Sequence, residues 1–160
     1  MNKDSLLRTP PALLGQLAAS VLSNLPTPRP FMARLGERLP PALVSAHGAL
    51  LLEIARRATW LTPPEELDGH SFIIGISDLG LRCAFACQQG RFRPLWQLPE
   101  ADLEISATLA DFVLMARGSM DADTLFFQRR LKISGDTELG LVIKNWLDAC
   151  ERPAWLQAAR

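Results

Sequence analysis

The placement of proline constrains this chain more than any other feature. Nine of its twelve prolines fall within the first 64 residues, and none lies between Pro99 and Pro153. Proline has no amide N–H and is tolerated only in the first turn of a helix, so each cluster marks where a helix stops or starts. The first 64 residues therefore read as short helices over residues 11–25, 30–39 and 41–57. In the third, Leu43, Leu50, Leu51 and Ile54 recur at helical spacing and are expected to form the buried face, while Arg56 and Arg57 occupy the last turn, where cations suit the helix dipole. The helix over 11–25 is apolar around much of its circumference, with Leu13, Leu14, Leu17, Val21 and Leu22 as its main apolar positions. It needs a partner protein, a lipid or a membrane surface, and peripheral membrane contact is the expectation drawn here.

After Pro63-Pro64 the hydrophobic period changes from about 3.6 residues to 2. Phe72, Ile74 and Ile76 alternate with Ile73 and Gly75; Leu81, Cys83, Phe85 and Cys87 alternate with Arg82, Ala84 and Ala86; residues 91–96 make a shorter run; Leu103, Ile105 and Ala107 make a fourth. The connections at 78–80, 89–90 and 99–102 are short enough for neighbouring antiparallel strands, which predicts a four-stranded meander. Thr108 and Asp111 then set a capping-box-like helix start, with Gly118 as its stop. Asp121 caps a second short helical turn ending in Phe126-Phe127, Leu131 and Ile133 mark a fifth strand, and Gly135-Asp136 opens a last helix with Leu139, Val142, Ile143, Trp146 and Leu147 along one side. The pattern is α+β, preceded by a proline-punctuated helical extension.

Composition removes several function classes. Seventeen Lys and Arg balance seventeen Asp and Glu, so the chain has no overall basic field, and no nucleic-acid partner is expected. Two His, three Cys and no Tyr leave general acid/base and ligand side chains scarce. No Gly-x-Gly-x-x-Gly, Walker or Gly-x-Ser-x-Gly pattern occurs. No catalytic residue, metal ligand or cofactor is therefore assigned, and an enzyme is not expected. Cys83 and Cys87 lie in one strand about 13 Å apart, too far for a disulfide, and read as small buried hydrophobes in a reducing, cytoplasmic setting. Lys3 and Arg8 before an apolar run look faintly like a secretory leader, but Asp4, Pro10, Pro11 and Gln16 spoil that layout.

One ordered run carries a resemblance: Ala107-Thr108-Leu109-Ala110-Asp111-Phe112, then Ala116-Arg117-Gly118, then Asp121 to Gln128, then Leu131-Lys132-Ile133-Ser134-Gly135-Asp136. It resembles the C-terminal half of sterol carrier protein type 2 domains, over about residues 69–150. That family has Gln-Gly-Lys-Leu where this chain has Gln128-Arg129-Arg130-Leu131. With the following Gly135 to Gly140, this string is similar to the bacterial branch that assists ubiquinone biosynthesis without oxygen. The resemblance implies a five-stranded, mainly antiparallel sheet with helices packed on one face, enclosing an apolar cavity. It further implies a lipid-binding accessory factor working with other ubiquinone-biosynthesis proteins, and an isoprenoid quinone precursor or a phospholipid as the lipid. The expected division is a helical extension over 1–64, a lipid-binding domain over 65–152 and a tail over 153–160, in a cytoplasmic protein peripheral to the inner membrane.

The residues expected to line the cavity are Phe72 and Ile74 from the first strand, Phe112, Met115, Phe126 and Phe127 from the two short helices, and Leu139, Val142, Ile143 and Trp146 from the last helix. Spacing alone reads this face equally as ordinary core, since aromatic residues at helical spacing usually pack protein against protein. The same groove could instead take the helix of a partner in a quinone-biosynthesis complex. Arg129 shares strand parity with Leu131 and Ile133, which would turn it inward toward a headgroup and leave Arg130 in water. An ion pair with Asp121, Asp123 or Asp136 is the plainer reading of Arg129, and a position ahead of the strand would free it from the alternation altogether.

Overall fold

The computed structural model describes residues 30–97 and 100–150. The expected helix over 11–25 and the tail over 153–160 lie outside them. Helix α1 spans Pro30–Gly36 and α2 spans Pro41–Arg57, each opened by proline. After a 3-10 turn at Glu65–Leu67 come strands β1 (Ser71–Ile76), β2 (Leu81–Gln88), β3 (Arg91–Pro94) and β4 (Leu103–Ala107). Helices α3 (Leu109–Arg117) and α4 (Ala122–Phe127), strand β5 (Lys132–Gly135) and helix α5 (Thr137–Ala149) complete the order. The caps are those the sequence marks. Thr108 Oγ1 accepts from the Asp111 amide, Asp121 from that of Thr124, and Asp136 from those of Glu138 and Leu139, while Gly118 ends α3 in the left-handed conformation.

The sheet order is β3-β2-β1-β4-β5, so the expected meander is wrong at one connection. β4 does not follow β3 as its neighbour; it crosses to pair with β1 in parallel, while the other three pairings are antiparallel. The physical reason is burial. β3 is only four residues long, ends at a proline that cannot donate to a ladder, and exposes Arg91 and Arg93, all features of an edge. β4 carries Leu103 and Ile105, which beside β3 would lie half in water. Beside β1 they extend two apolar rows instead, with Leu103 opposite Phe72, and Ile105 between Ile74 and Ile133.

Asp102 clasps that crossing. Its carboxylate accepts from the Ser71 amide at 2.7 Å and the Ser71 hydroxyl at 2.8 Å, its carbonyl accepts from the Asp136 amide at 2.8 Å, and so the starts of β1, β4 and α5 meet on one residue. The Ser71 amide and hydroxyl, with a smaller contribution from His70, hold this carboxyl below the usual carboxylate range.

Helix α2 packs on β2 and β3 by the face opposite to the expected one. Leu43, Leu50, Leu51 and Ile54 are all at least half exposed, while Ser45 and Ala49 are buried. The helix sits too close to the sheet for leucine. A Cβ added at Gly48 would collide with the Cys83 thiol, and the buried Ser45 hydroxyl accepts from the Ala84 amide at 2.9 Å. Ala84 lies beyond the end of β3, so Ser45 satisfies a strand amide that the short edge strand leaves open.

Two tests follow from this packing. Ser45→Ala should cost about 1–3 kcal/mol in urea unfolding, the penalty for orphaning a buried donor, whereas Leu50→Gln on the outer face should stay within about 0.5 kcal/mol. The lowered folded-state pKa of Asp102 contributes stability that is fully present above the unfolded value near 3.9 and is lost as pH falls through the folded one. Asp102→Asn should accordingly flatten the acid limb of a stability-versus-pH curve below about pH 4.

Candidate functional site

The sheet turns one apolar face toward α2 and α5, and these helices stand apart over it. α5 can lie close to β4 and β5 because Gly140 meets Ile133 and Leu103 without a side chain of its own. α2 lies over the opposite edge, on β2 and β3. Between them is a cavity of about 600 Å³. Its floor includes Phe72 and Ile74 of β1, Phe85 of β2, Phe92 of β3, Ile105 of β4 and Ile133 of β5. Leu51, Leu52 and Ala55 of α2, with Trp60 and Leu61 just after it, line one side; Ile143, Trp146 and Leu147 of α5 line the other. Phe112 and Met115 of α3, with Met120, Ala122 and Leu131, close the end near β5. Trp146 is held in place by its indole N–H, which donates to the Thr62 carbonyl at 2.6 Å.

Among the described residues lining this space, only Lys144 and Asp148 are charged. The Lys144 ammonium pairs with Asp123 of α4 at 2.8 Å, and that contact raises its pKa further above the ordinary lysine value. The chemistry of the interior is therefore that of hydrocarbon, with charge confined to a rim where α4 meets α5. Thiol chemistry is suppressed as well: burial pushes the Cys83 thiol up to about 11, and burial and Asp68 also raise that of Cys87.

Of the ten expected lining residues, Phe72, Ile74, Phe112, Met115, Ile143 and Trp146 are on the cavity wall. Leu139 and Val142 are not; Leu139 belongs to the hydrophobic core and Val142 packs against it. Phe126 and Phe127 are exposed, at 47% and 80%, while the positions this six-residue helix buries are Ala122 and Leu125. The α2 side and the 60–61 segment were missed. Their signal was present in Leu51 and Leu52, a leucine pair one of whose members must leave the main apolar stripe.

Arg129 does not turn inward. It precedes β5, holds φ at +59° in a left-handed turn, and is exposed, so strand parity does not govern it. Its neighbour reverses the expected roles. Arg130 donates from Nη2 to the carboxylate of Asp111, a residue only 2% exposed that also accepts from the Thr108 hydroxyl at 2.8 Å. The pair ties the start of α3 to the turn that leads into Leu131, and so fixes the end wall of the cavity.

Against known families, residues 63–148 match the model of the SCP-2 sterol transfer family. The chain belongs to the SCP-2 sterol transfer family. Within it, this chain is 41% identical over 96 residues to the Ubiquinone biosynthesis accessory factor UbiT of Escherichia coli strain K12, and equally to that of strain O157:H7; the aligned stretch is 60% of this chain. The same stretch spans 55% of the relatives' own length. Among solved structures, a UbiJ-SCP2 ubiquinone synthesis protein superposes with a TM-score of 0.53 at 13% identity, covering 66% of this chain and 97% of that one. Palmitated SCP2L2 from Aedes aegypti superposes with a TM-score of 0.50 at 12% identity, over 68% and 99% of the two chains. These likenesses show the SCP-2 fold, and the cavity described above lies within it.

Removing the inner arginine should matter and removing the outer one should not. Arg130→Ala leaves the buried Asp111 carboxylate short of its cation and should lower unfolding free energy by about 1–3 kcal/mol, against less than about 0.5 kcal/mol for Arg129→Ala. Paired urea titrations of the two variants check this.

Proposed function

We propose that this protein is a non-enzymatic lipid-binding accessory factor of oxygen-independent ubiquinone biosynthesis, holding an isoprenoid quinone precursor or a phospholipid in its cavity. The observation that carries the reading is the cavity itself: about 600 Å³ of space walled by hydrocarbon, with its charge at the rim. That volume is within the range of roughly 300–1,000 Å³ typical of small-molecule sites. Burying sixteen methylenes at about 0.8 kcal/mol each gives a gross gain of roughly 13 kcal/mol. Leaving a bilayer cancels most of that gain, so a carrier succeeds by matching the apolarity of the membrane interior. The names of the aligned relatives support the pathway, and the extent of the family match supports 65–152 as the lipid-binding unit.

In this reading the protein works in the cytoplasm, peripheral to the inner membrane, beside the proteins that act on the quinone ring. No helix of the described residues is long and apolar enough to cross a membrane. The apolar segment over 11–25 supplies one membrane contact in this proposal.

Native mass spectrometry of the purified full chain tests the cargo. An added mass that organic extraction removes, and whose fragments identify a prenylated ring or a phospholipid, is the expected result. Ile143→Trp and Met115→Trp each push a bulky ring into the cavity and should lower that occupancy at least about fivefold. Full retention of the added mass by both folded variants would place the lipid elsewhere. A bound peptide or protein in place of lipid would favour a partner helix in the groove.

A further inference from the structure

The turn that leaves α4 presents two phenyl rings and a set of cations to solvent, and the lipid cavity uses none of them. Phe126 and Phe127 touch each other edge to face, with centroids 6.0 Å apart; Phe126 is half exposed and Phe127 largely so. Two adjacent aromatic side chains exposed to this extent on a small domain mark a contact site. Arg129 follows in a left-handed turn with an exposed side chain; its amide donates to the Phe126 carbonyl, and no side-chain hydrogen bond or ion pair engages its guanidinium among the described residues. The Arg130 side chain is 40% exposed, with its guanidinium engaged by Asp111 and Gln128, and Lys132 is exposed on the adjoining edge strand β5. The acids nearby are already occupied. Asp111 is buried and taken by Arg130, Asp123 is taken by Lys144, and Asp121 caps the opposite end of α4.

We infer that the Phe126-Phe127-Gln128-Arg129 turn is a docking surface for an anionic lipid bilayer, with the phenyl rings in the interfacial layer and Arg129 and Lys132 against lipid phosphates. This rests on the proposed lipid-binding function and deepens it, by stating which side of the carrier meets the membrane. The charge pattern selects a bilayer as the occupant. The chain as a whole has no net charge, so a local excess of cations around an apolar tip orients it toward a negatively charged surface. Aromatic rings flanked by basic residues are the combination that settles at the boundary between headgroups and acyl chains. Position adds to the argument, because Ala122 of the same helix and Leu131 just beyond the turn both line the cavity. Docking here sets the end wall of the cavity against the membrane.

Vesicle flotation of the full chain tests this, with one set of vesicles of phosphatidylcholine alone and another containing phosphatidylglycerol at about one third. A pyrene-labelled C16 fatty acid reports cavity occupancy in the same preparations. The wild type should float with the anionic vesicles and far less with the neutral ones. Phe126→Ser with Phe127→Ser should cut that flotation at least about tenfold. Arg129→Ala should cut it about fivefold on anionic vesicles and leave the neutral ones unchanged. Uptake of the pyrene probe should equal that of the wild type in each case, since none of these side chains lines the cavity. Arg129→Ala, at an exposed turn position, also guards against a phenylalanine double variant that fails to fold. Wild-type flotation by the variants would overturn the docking surface, as would equal flotation on both vesicle types. Loss of self-association or of a protein contact, with flotation intact, would reassign the patch to a protein partner and overturn it too. Docking without probe uptake would refute the cavity reading alone, and probe uptake without docking would refute this inference alone.

Discussion

The parallel pairing of β1 with β4 is the contact on which the rest of this molecule depends. It joins a hairpin half, made of β1 to β3 under α2, to a second half made of β4, α3, α4, β5 and α5. Without it the apolar residues of β1 and β4 would be on separate edges, and no continuous floor would run from Phe92 to Ile133. Asp102 fastens the junction by taking the Ser71 amide and hydroxyl on its side chain and the Asp136 amide on its carbonyl. A single acidic residue therefore fastens the start of β4 to the start of β1 and to the start of α5, the helix that walls the cavity.

The cavity is a consequence of how two helices approach that floor. α2 comes close to β2 because Ser45, Gly48 and Ala49 are small, and α5 comes close to β4 and β5 because Gly140 is bare. Each helix is drawn down at its own edge of the sheet, and the space over the centre stays open. Large apolar side chains from both helices border that space without filling it. Leu51 shows the result, since it lines the cavity and is 68% exposed. A tighter core would bury more surface and be more stable, but it would have no room for a ligand, the familiar conflict between packing density and function.

Polar groups in the helical layer serve to fix positions. Ser45 closes an amide left by the short edge strand, Trp146 anchors to the Thr62 carbonyl, and Arg130 with Asp111 pins α3 to the turn before β5. Of these, Trp146 lines the apolar space directly, and the others hold the helices and turns around it by directional bonds. Two cations without such a duty, Arg129 and Lys132, lie near Phe126 and Phe127, outside the cavity.

Local signals in the sequence determined the elements. The proline clusters, the caps at Thr108, Asp121 and Asp136, and the shift of period after Pro64 located the described helices and strands, because capping and side-chain alternation act over a few residues. The ordered run from Ala107 to Asp136 also carried the family. What the sequence could not decide was anything that depends on which elements meet. The strand neighbouring β4 was settled by burial of Leu103 and Ile105 against β1. The buried face of α2 was settled by how close the helix can come to Cys83, which favours glycine and serine over the leucines that periodicity singles out. The arginine that turns inward was settled by a left-handed turn at Arg129, which breaks strand parity before the strand begins. Periodicity names an apolar face, but only the neighbouring element determines whether that face is covered, lines a cavity or remains exposed.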